Sequence, residues 1–211
     1  MDNQQQTIRA DIYLLLSTLF RQQPTSELVE FLSQLETEQS ESAMQLAWNQ
    51  LKHAALEIQP EALADEYQEL FIGIGRGEVV PFASWHLTGS LMEKPLASIR
   101  HDLALLGLER EEQVKEPEDH FSALCEVMSV LTGEEEELQQ VFFNKHLGTW
   151  FESLTKQVKN AKNANFYRAV AELAQAFMTL EQVRFSANTA SSKNKLKIDV
   201  KNVTEYEQAQ K

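Results

Sequence analysis

Glu116, Glu118, Asp119 and His120 crowd three carboxylates and an imidazole around Pro117, immediately before the apolar run Phe121-Ser122-Ala123-Leu124. Such a cluster could bind a metal or work as an acid–base pair, because carboxylate oxygens and imidazole nitrogen serve both chemistries. A structural role competes with both. Proline fits the first turn of a helix, where its missing donor would be unpaired anyway. Acidic groups in that turn are favoured by the positive end of the helix dipole. The segment therefore reads as the start of a helix running from about Pro117 to Leu131, with a capping carboxylate and a partly buried histidine. No second His or Cys stands at ligand spacing, and His86, His101 and His146 are scattered. Ligand geometry is demanding, so the structural role outweighs metal binding by roughly five to one.

A second constellation is Val80-Pro81-Phe82-Ala83-Ser84-Trp85-His86, with two aromatics beside a proline and no helical stripe to bury both. Loops that present aromatics near acidic groups suit a ligand with apolar and cationic parts. Phe82 and Trp85 read equally well as the rim of a groove or as plugs in the core beneath. Gly73-Ile74-Gly75-Arg76-Gly77 lacks the strand and lysine of a phosphate loop, and reads as a flexible helix exit. No G-x-x-x-x-G-K-[ST], strand-linked G-x-G-x-x-G or H-E-x-x-H pattern occurs.

The elements that must position these residues are helical. Apolar residues at Ile8, Ile12, Leu15, Leu16 and Leu19 form a stripe of helical period, with Thr7 as the expected cap. Further helices are expected from Thr25-Ser26 to Leu35, from about Ser40 to Ile58, from Pro60 through Ile74, from Lys94 to Leu106, and from Glu134 through Leu147. Others run through Trp150 to Val158 and from Phe166 to Phe185. Seven glycines and five prolines in 211 residues argue against an all-β fold. The expectation is all-α: a single globular domain of about nine or ten helices over residues 1–185. The acidic linker 109–115 is a point where two lobes could divide. Residues 186–211 form a polar, lysine-bearing tail, expected to be flexible.

Charge narrows the partners. The net charge is −13, yet residues 186–211 carry five lysines against Asp199, Glu205 and Glu207, which leaves −15 on the rest. A body this acidic repels nucleic acid and anionic lipid and favours basic peptides. The lone Cys125 cannot form an internal disulfide and reads as a buried small hydrophobe. The amino-terminal residues lack the pattern of a secretory signal, no apolar run spans a bilayer, and the chain reads as cytoplasmic.

Five stretches carry a family resemblance: Tyr67-Gln68-Glu69-Leu70-Phe71, Pro81-Phe82-Ala83-Ser84-Trp85, Glu116-Pro117-Glu118-Asp119-His120-Phe121, His146-Leu147-Gly148-Thr149-Trp150 and Phe166-Tyr167-Arg168-Ala169. In this order and spacing, the chain resembles the TorD/DmsD/NarJ chaperones over residues 7–185. The complete Glu116-Pro117-x-Asp119-His120 segment resembles the DmsD-like branch most, although that branch usually has Trp where Tyr67 and Phe82 stand. The resemblance implies a cytoplasmic, all-helical, non-enzymatic chaperone. Such a protein binds the twin-arginine signal peptide and the apo form of a molybdopterin-dependent oxidoreductase, delays export and assists cofactor insertion. It would place Tyr67, Leu70, Phe71, Pro81, Phe82, Ser84, Trp85, Glu116, Pro117, Asp119 and His120 at or near the peptide groove. No resident cofactor is implied, although weak guanine-nucleotide binding occurs in the family. Lobe exchange into a homodimer is a further family property, with 109–115 as the hinge. The competing expectation is a nucleotide- or metal-dependent hydrolase centred on Glu116, Asp119 and His120.

Overall fold

Each apolar stripe of period three to four folds as a helix in the computed structural model, which describes residues 2–36, 41–74 and 76–186. Ten α-helices are found among them: α1 (Asp2–Arg21), α2 (Ser26–Ser33), α3 (Ala43–Glu57), α4 (Pro60–Tyr67), α5 (Ala83–Thr88), α6 (Lys94–Leu105), α7 (Phe121–Leu131), α8 (Glu136–His146), α9 (Phe151–Asn160) and α10 (Phe166–Ser186). The all-helical expectation is borne out, with no strand among the described residues. No helix among them is long and apolar enough to cross a membrane. The expected tail falls outside the described residues from 187 onward.

Helix starts follow their capping chemistry. Thr25 caps α2 by accepting from the Leu28 amide, and Ser42 caps α3 by accepting from the Gln45 amide, each satisfying an otherwise orphan donor. Pro60 sits at the first position of α4. Thr7 is not a cap: α1 begins five residues earlier, at Asp2. A larger correction concerns the opening cluster. α7 starts at Phe121, not at Pro117, and its cap is His120. The segment Glu116–Asp119 lies outside the helix because it must turn to meet the Pro81–Ser84 segment.

α10 is the central element. It packs against α3, α8, α9, α4 and α1, while α1 lies along α7, α2 on α3 and α5 on α6. One apolar core joins side chains from both sides of residues 109–115, from Tyr13, Leu16 and Phe20 through Leu70 to Phe121, Leu154 and Phe177. Tyr13 meets Phe177 edge-on at 4.7 Å, and Phe20 meets Phe121 at 4.8 Å, a geometry the ring quadrupoles favour. Burial drives the Cys125 thiol well above its ordinary pKa, so it stays protonated and packs as a hydrophobe.

Two buried carboxylates fix α10 at its two ends. At the start, Glu66 of α4 accepts from the amides of Asn165, Phe166 and Tyr167 at 2.8, 3.0 and 2.7 Å. Near the end, Glu181 accepts from Arg9 at 2.8 and 2.6 Å and from the Tyr13 hydroxyl at 2.8 Å, tying α10 to α1. Gln139 of α8 joins this network by accepting from Arg9 at 2.9 Å.

Candidate functional site

The cluster and the aromatic loop are brought together by backbone. Phe82 and His120 form an isolated antiparallel bridge. The Ala83 amide donates to the Asp119 carbonyl at 2.9 Å, and the Phe121 amide donates to the Pro81 carbonyl at 2.8 Å. The Asp119 carboxylate then accepts from the Ser84 amide at 3.0 Å. It therefore caps α5, a six-residue helix that no stripe in the sequence announces because it is too short to show one. A residue 35 positions away supplies the cap, which explains why Ala83–Thr88 is a helix where the sequence suggested a loop.

His120 is occupied in the same way. Its Nδ1 accepts from the Ser122 amide at 3.1 Å and lies 2.7 Å from the Ser122 hydroxyl, which places the ring proton on Nε2. Burial, with the nearby Arg21 charge, lowers its pKa to about 3. At neutral pH the ring is uncharged and cannot cycle a proton, as general acid–base work would need. Phe82 packs edge-on against it at 4.9 Å. Among the described residues, no three metal-ligating side chains come together. Asp119 and His120 thus hold α5 and α7 to each other. Asp119→Asn, which keeps an acceptor for Ser84, is expected to fold with a loss below about 1 kcal/mol. Asp119→Ala, which orphans that amide, should lose about 2 kcal/mol in chemical denaturation.

The other nominated residues divide by exposure. Leu70 and Ser84 are wholly buried, and Pro81 is buried. Tyr67 and Phe71 are half-buried in an aromatic group: Tyr67 to Phe71 is 5.1 Å, Phe71 to Tyr167 is 4.9 Å, and Phe71 to Phe20 is 5.6 Å. Burial, with the charge of nearby Glu116, raises the Tyr67 hydroxyl to about 12. Phe82, Trp85 and Pro117 are half-buried, and Glu116 is exposed. Trp85 carries the Arg76 guanidinium 4.6 Å above its ring. Close backbone contacts mark the described glycines on either side of Arg76. The chain leaves α4 through a π-helical turn, Gln68–Ile72, closed by the Gly73 amide on the Gln68 carbonyl. A Cβ at Gly77 would lie 2.3 Å from the Leu70 carbonyl oxygen, so only glycine allows that approach.

Glu116 also lines a surface groove of about 320 Å3, which sequence reasoning did not assemble. Its floor is aliphatic: Leu103 from α6, Leu108 just before the linker and Val114 within it, and Val127 and Val130 from α7. Its rim carries Glu109, Glu111, Glu116, Glu118 and Glu126 against Arg21 and Arg110. Arg21 pairs with Glu126, while Arg100 and Arg110 both pair with Glu118. The carboxylates of Glu109, Glu111 and Glu116 have no ion-pair partner among the described residues. Arg110 also donates to the carbonyls of Val114 and Glu116, at 2.8 and 3.3 Å, folding the linker back on itself. Two differences from the sequence reading follow. The linker is a wall of the groove, and the apolar surface beside the acids is aliphatic, not the aromatics of 67–71 and 82–85. Six glutamates within Glu109–Glu126 were the available signal; what concealed it was the absence of periodicity.

This all-helical protein thus pairs a groove of apolar floor and acidic rim with a neutral His120 and an Asp119 spent on a cap, features that suit binding rather than acid–base chemistry. The model of the nitrate reductase delta subunit family matches residues 37–156. The chain belongs to that family, the TorD/NarJ chaperones of redox-enzyme maturation. It is similar to the chaperone protein TorD of Shewanella loihica, 29% identical over 191 residues that cover 82% of this chain and 90% of that protein. TorD of Vibrio cholerae is 28% identical over 200 residues, covering 81% and 88%. A crystal structure of a candidate redox enzyme maturation protein from Archaeoglobus fulgidus shares the fold, with a TM-score of 0.54 at 21% identity over 82% of this chain and 93% of that one. These relatives are chaperones and not enzymes, which removes the hydrolase expectation.

Proposed function

We propose that this chaperone binds the twin-arginine signal peptide of a molybdopterin-containing oxidoreductase in the groove between α6, the 109–116 linker and α7. There it delays export while the cofactor is inserted. The observation that carries the reading is the meeting of three unpaired carboxylates, Glu109, Glu111 and Glu116, with an aliphatic floor. A twin-arginine leader offers the complement, two guanidiniums followed by an apolar stretch. Guanidinium groups bind carboxylates through paired donors, and Leu103, Val127 and Val130 can cover apolar side chains at about 25 cal/mol per Å2 buried. Asp119 and His120 contribute by holding the frame that presents Glu116. The complete Glu116–His120 motif supports a DmsD-like member, whereas the named relatives are TorD chaperones. The client is therefore defined here by its leader chemistry. The family's use of apo-enzyme clients and its cytoplasmic setting support the same reading.

Calorimetry with a synthetic leader tests it. Replacing both leader arginines with alanine is expected to weaken binding about tenfold at low salt, and the difference should shrink at high salt. Equal affinity of the two leaders at low salt would remove the groove's acidic rim from recognition.

A further inference from the structure

The groove has a second basic-and-apolar candidate within the same chain. Residues 187–211 lie outside the described residues, and they include Lys193-Asn194-Lys195-Leu196-Lys197-Ile198-Asp199-Val200-Lys201. Four lysines alternate there with three aliphatic residues. In an extended segment, Leu196, Ile198 and Val200 share one face while Lys193, Lys195, Lys197 and Lys201 share the other with the single acid Asp199, a net +3. That is the complement of an aliphatic floor beneath an acidic rim.

The position of the last described turn makes the contact reachable. Arg184 pairs with Glu136 at 2.8 Å, and Gln140 donates to the Phe185 carbonyl at 2.5 Å. The end of α10 therefore lies beside the first turn of α8. Val130, which lines the groove at the far end of α7, precedes Glu136 by six residues, and Gln139 ties the α7–α8 turn together by donating to the Glu134 carbonyl at 2.9 Å. From Ser186, the six residues 187–192 span up to about 20 Å when extended. The wall of α7 from Ser122 to Val130 is about 12 Å long. Lys193 can thus reach the near end of the groove, and the segment 193–201 can follow its length.

We infer that the segment 193–201 docks in the groove of its own chain, with its lysines against Glu109, Glu111 and Glu116, and acts as a resident competitor that a client leader must displace. Docking stands on the groove and the reach; the competition rests on the leader reading above. A tethered ligand has an effective concentration on the order of millimolar. Even weak docking then taxes an incoming leader while leaving a high-affinity one able to bind. Arginine, with its bidentate fork, out-competes lysine at a carboxylate rim.

The test uses the full chain. Zero-length carbodiimide coupling of a mixture of isotopically light and heavy protein, read by mass spectrometry, should join Lys193–Lys201 to Glu109, Glu111 or Glu116 within one copy. The triple variant Glu109→Gln, Glu111→Gln, Glu116→Gln should lose those links. Tail lysines coupled mainly to other surfaces, or only between light and heavy copies, would overturn the docking. In parallel, Lys193→Gln, Lys195→Gln, Lys197→Gln in the full chain should bind a synthetic twin-arginine leader about three- to tenfold more tightly. Groove links together with unchanged leader affinity would overturn the competition alone. If the leader binds neither form, the leader reading fails, while the coupling result still decides the docking.

Discussion

Replacing Glu66 with alanine is expected to lower stability by about 4 kcal/mol, among the largest effects of any single substitution in this chain. The carboxylate accepts from three consecutive amides at the start of α10, and it is buried. Hydrogen bonds to a charged acceptor are worth more than neutral ones. Removing the acceptor leaves Phe166 and Tyr167 donors buried with no water to replace it. Glu66 also compensates the positive end of the dipole of the 21-residue α10,. Because α10 contacts five other helices, the loss should appear as a cooperative shift of the whole transition. In a chain of this size it corresponds to roughly 10 °C in Tm. Glu66→Gln keeps one acceptor oxygen and should lose about half as much. Urea denaturation of the three proteins checks both steps; a loss below about 1 kcal/mol for Glu66→Ala would contradict the capping role.

The second large effect is acid sensitivity set by His120. Its pKa in the folded protein is about 3, against an ordinary 6.5, through burial and the neighbouring Arg21. Between those values the unfolded chain binds a proton that the folded chain refuses. Stability from this group is therefore complete above about pH 6.5 and falls as pH drops toward 3. The slope can reach about 1.4 kcal/mol per pH unit. His120→Asn preserves a short acceptor at the cap of α7 and removes the proton linkage. Urea midpoints measured from about pH 7 to about pH 4 should fall steeply for the natural chain and more gently for the variant. His86 and His146, both also lowered by burial, leave the variant a residual slope. Parallel pH profiles would show that His120 is not held neutral.

The sequence was most readable where a cap and a stripe coincide. Thr25 before α2, Pro60 at the head of α4, and Gly107 after α6 mark their helices locally. α10 was visible from Phe166 to Phe185 because its stripe persists over five turns. Long-range partners were not readable. Nothing near Glu66 announces that its acceptors serve residues 100 positions later, and nothing in Asp119 announces Ser84. The motif Glu116–His120 was correctly singled out, but its local grammar pointed to a helix start. The observed geometry spends Asp119 on α5 and His120 on α7, and leaves Glu116 facing the groove. The groove itself combines an irregular segment with one face of α7. Val127 and Val130 lie on α7, and only the linker folded beside them makes them part of a groove.

If the acidic rim recognises the leader's arginines, exchanging the charges on the two partners should reverse the preference. Calorimetry would compare the natural chain and Glu111→Arg, Glu116→Arg with two synthetic leaders, one carrying its paired arginines and one with both changed to glutamate. The variant is expected to bind the arginine leader at least about tenfold more weakly and to regain most of that loss with the glutamate leader. Equal weakening toward both leaders, or unchanged binding of the arginine leader, would contradict that recognition.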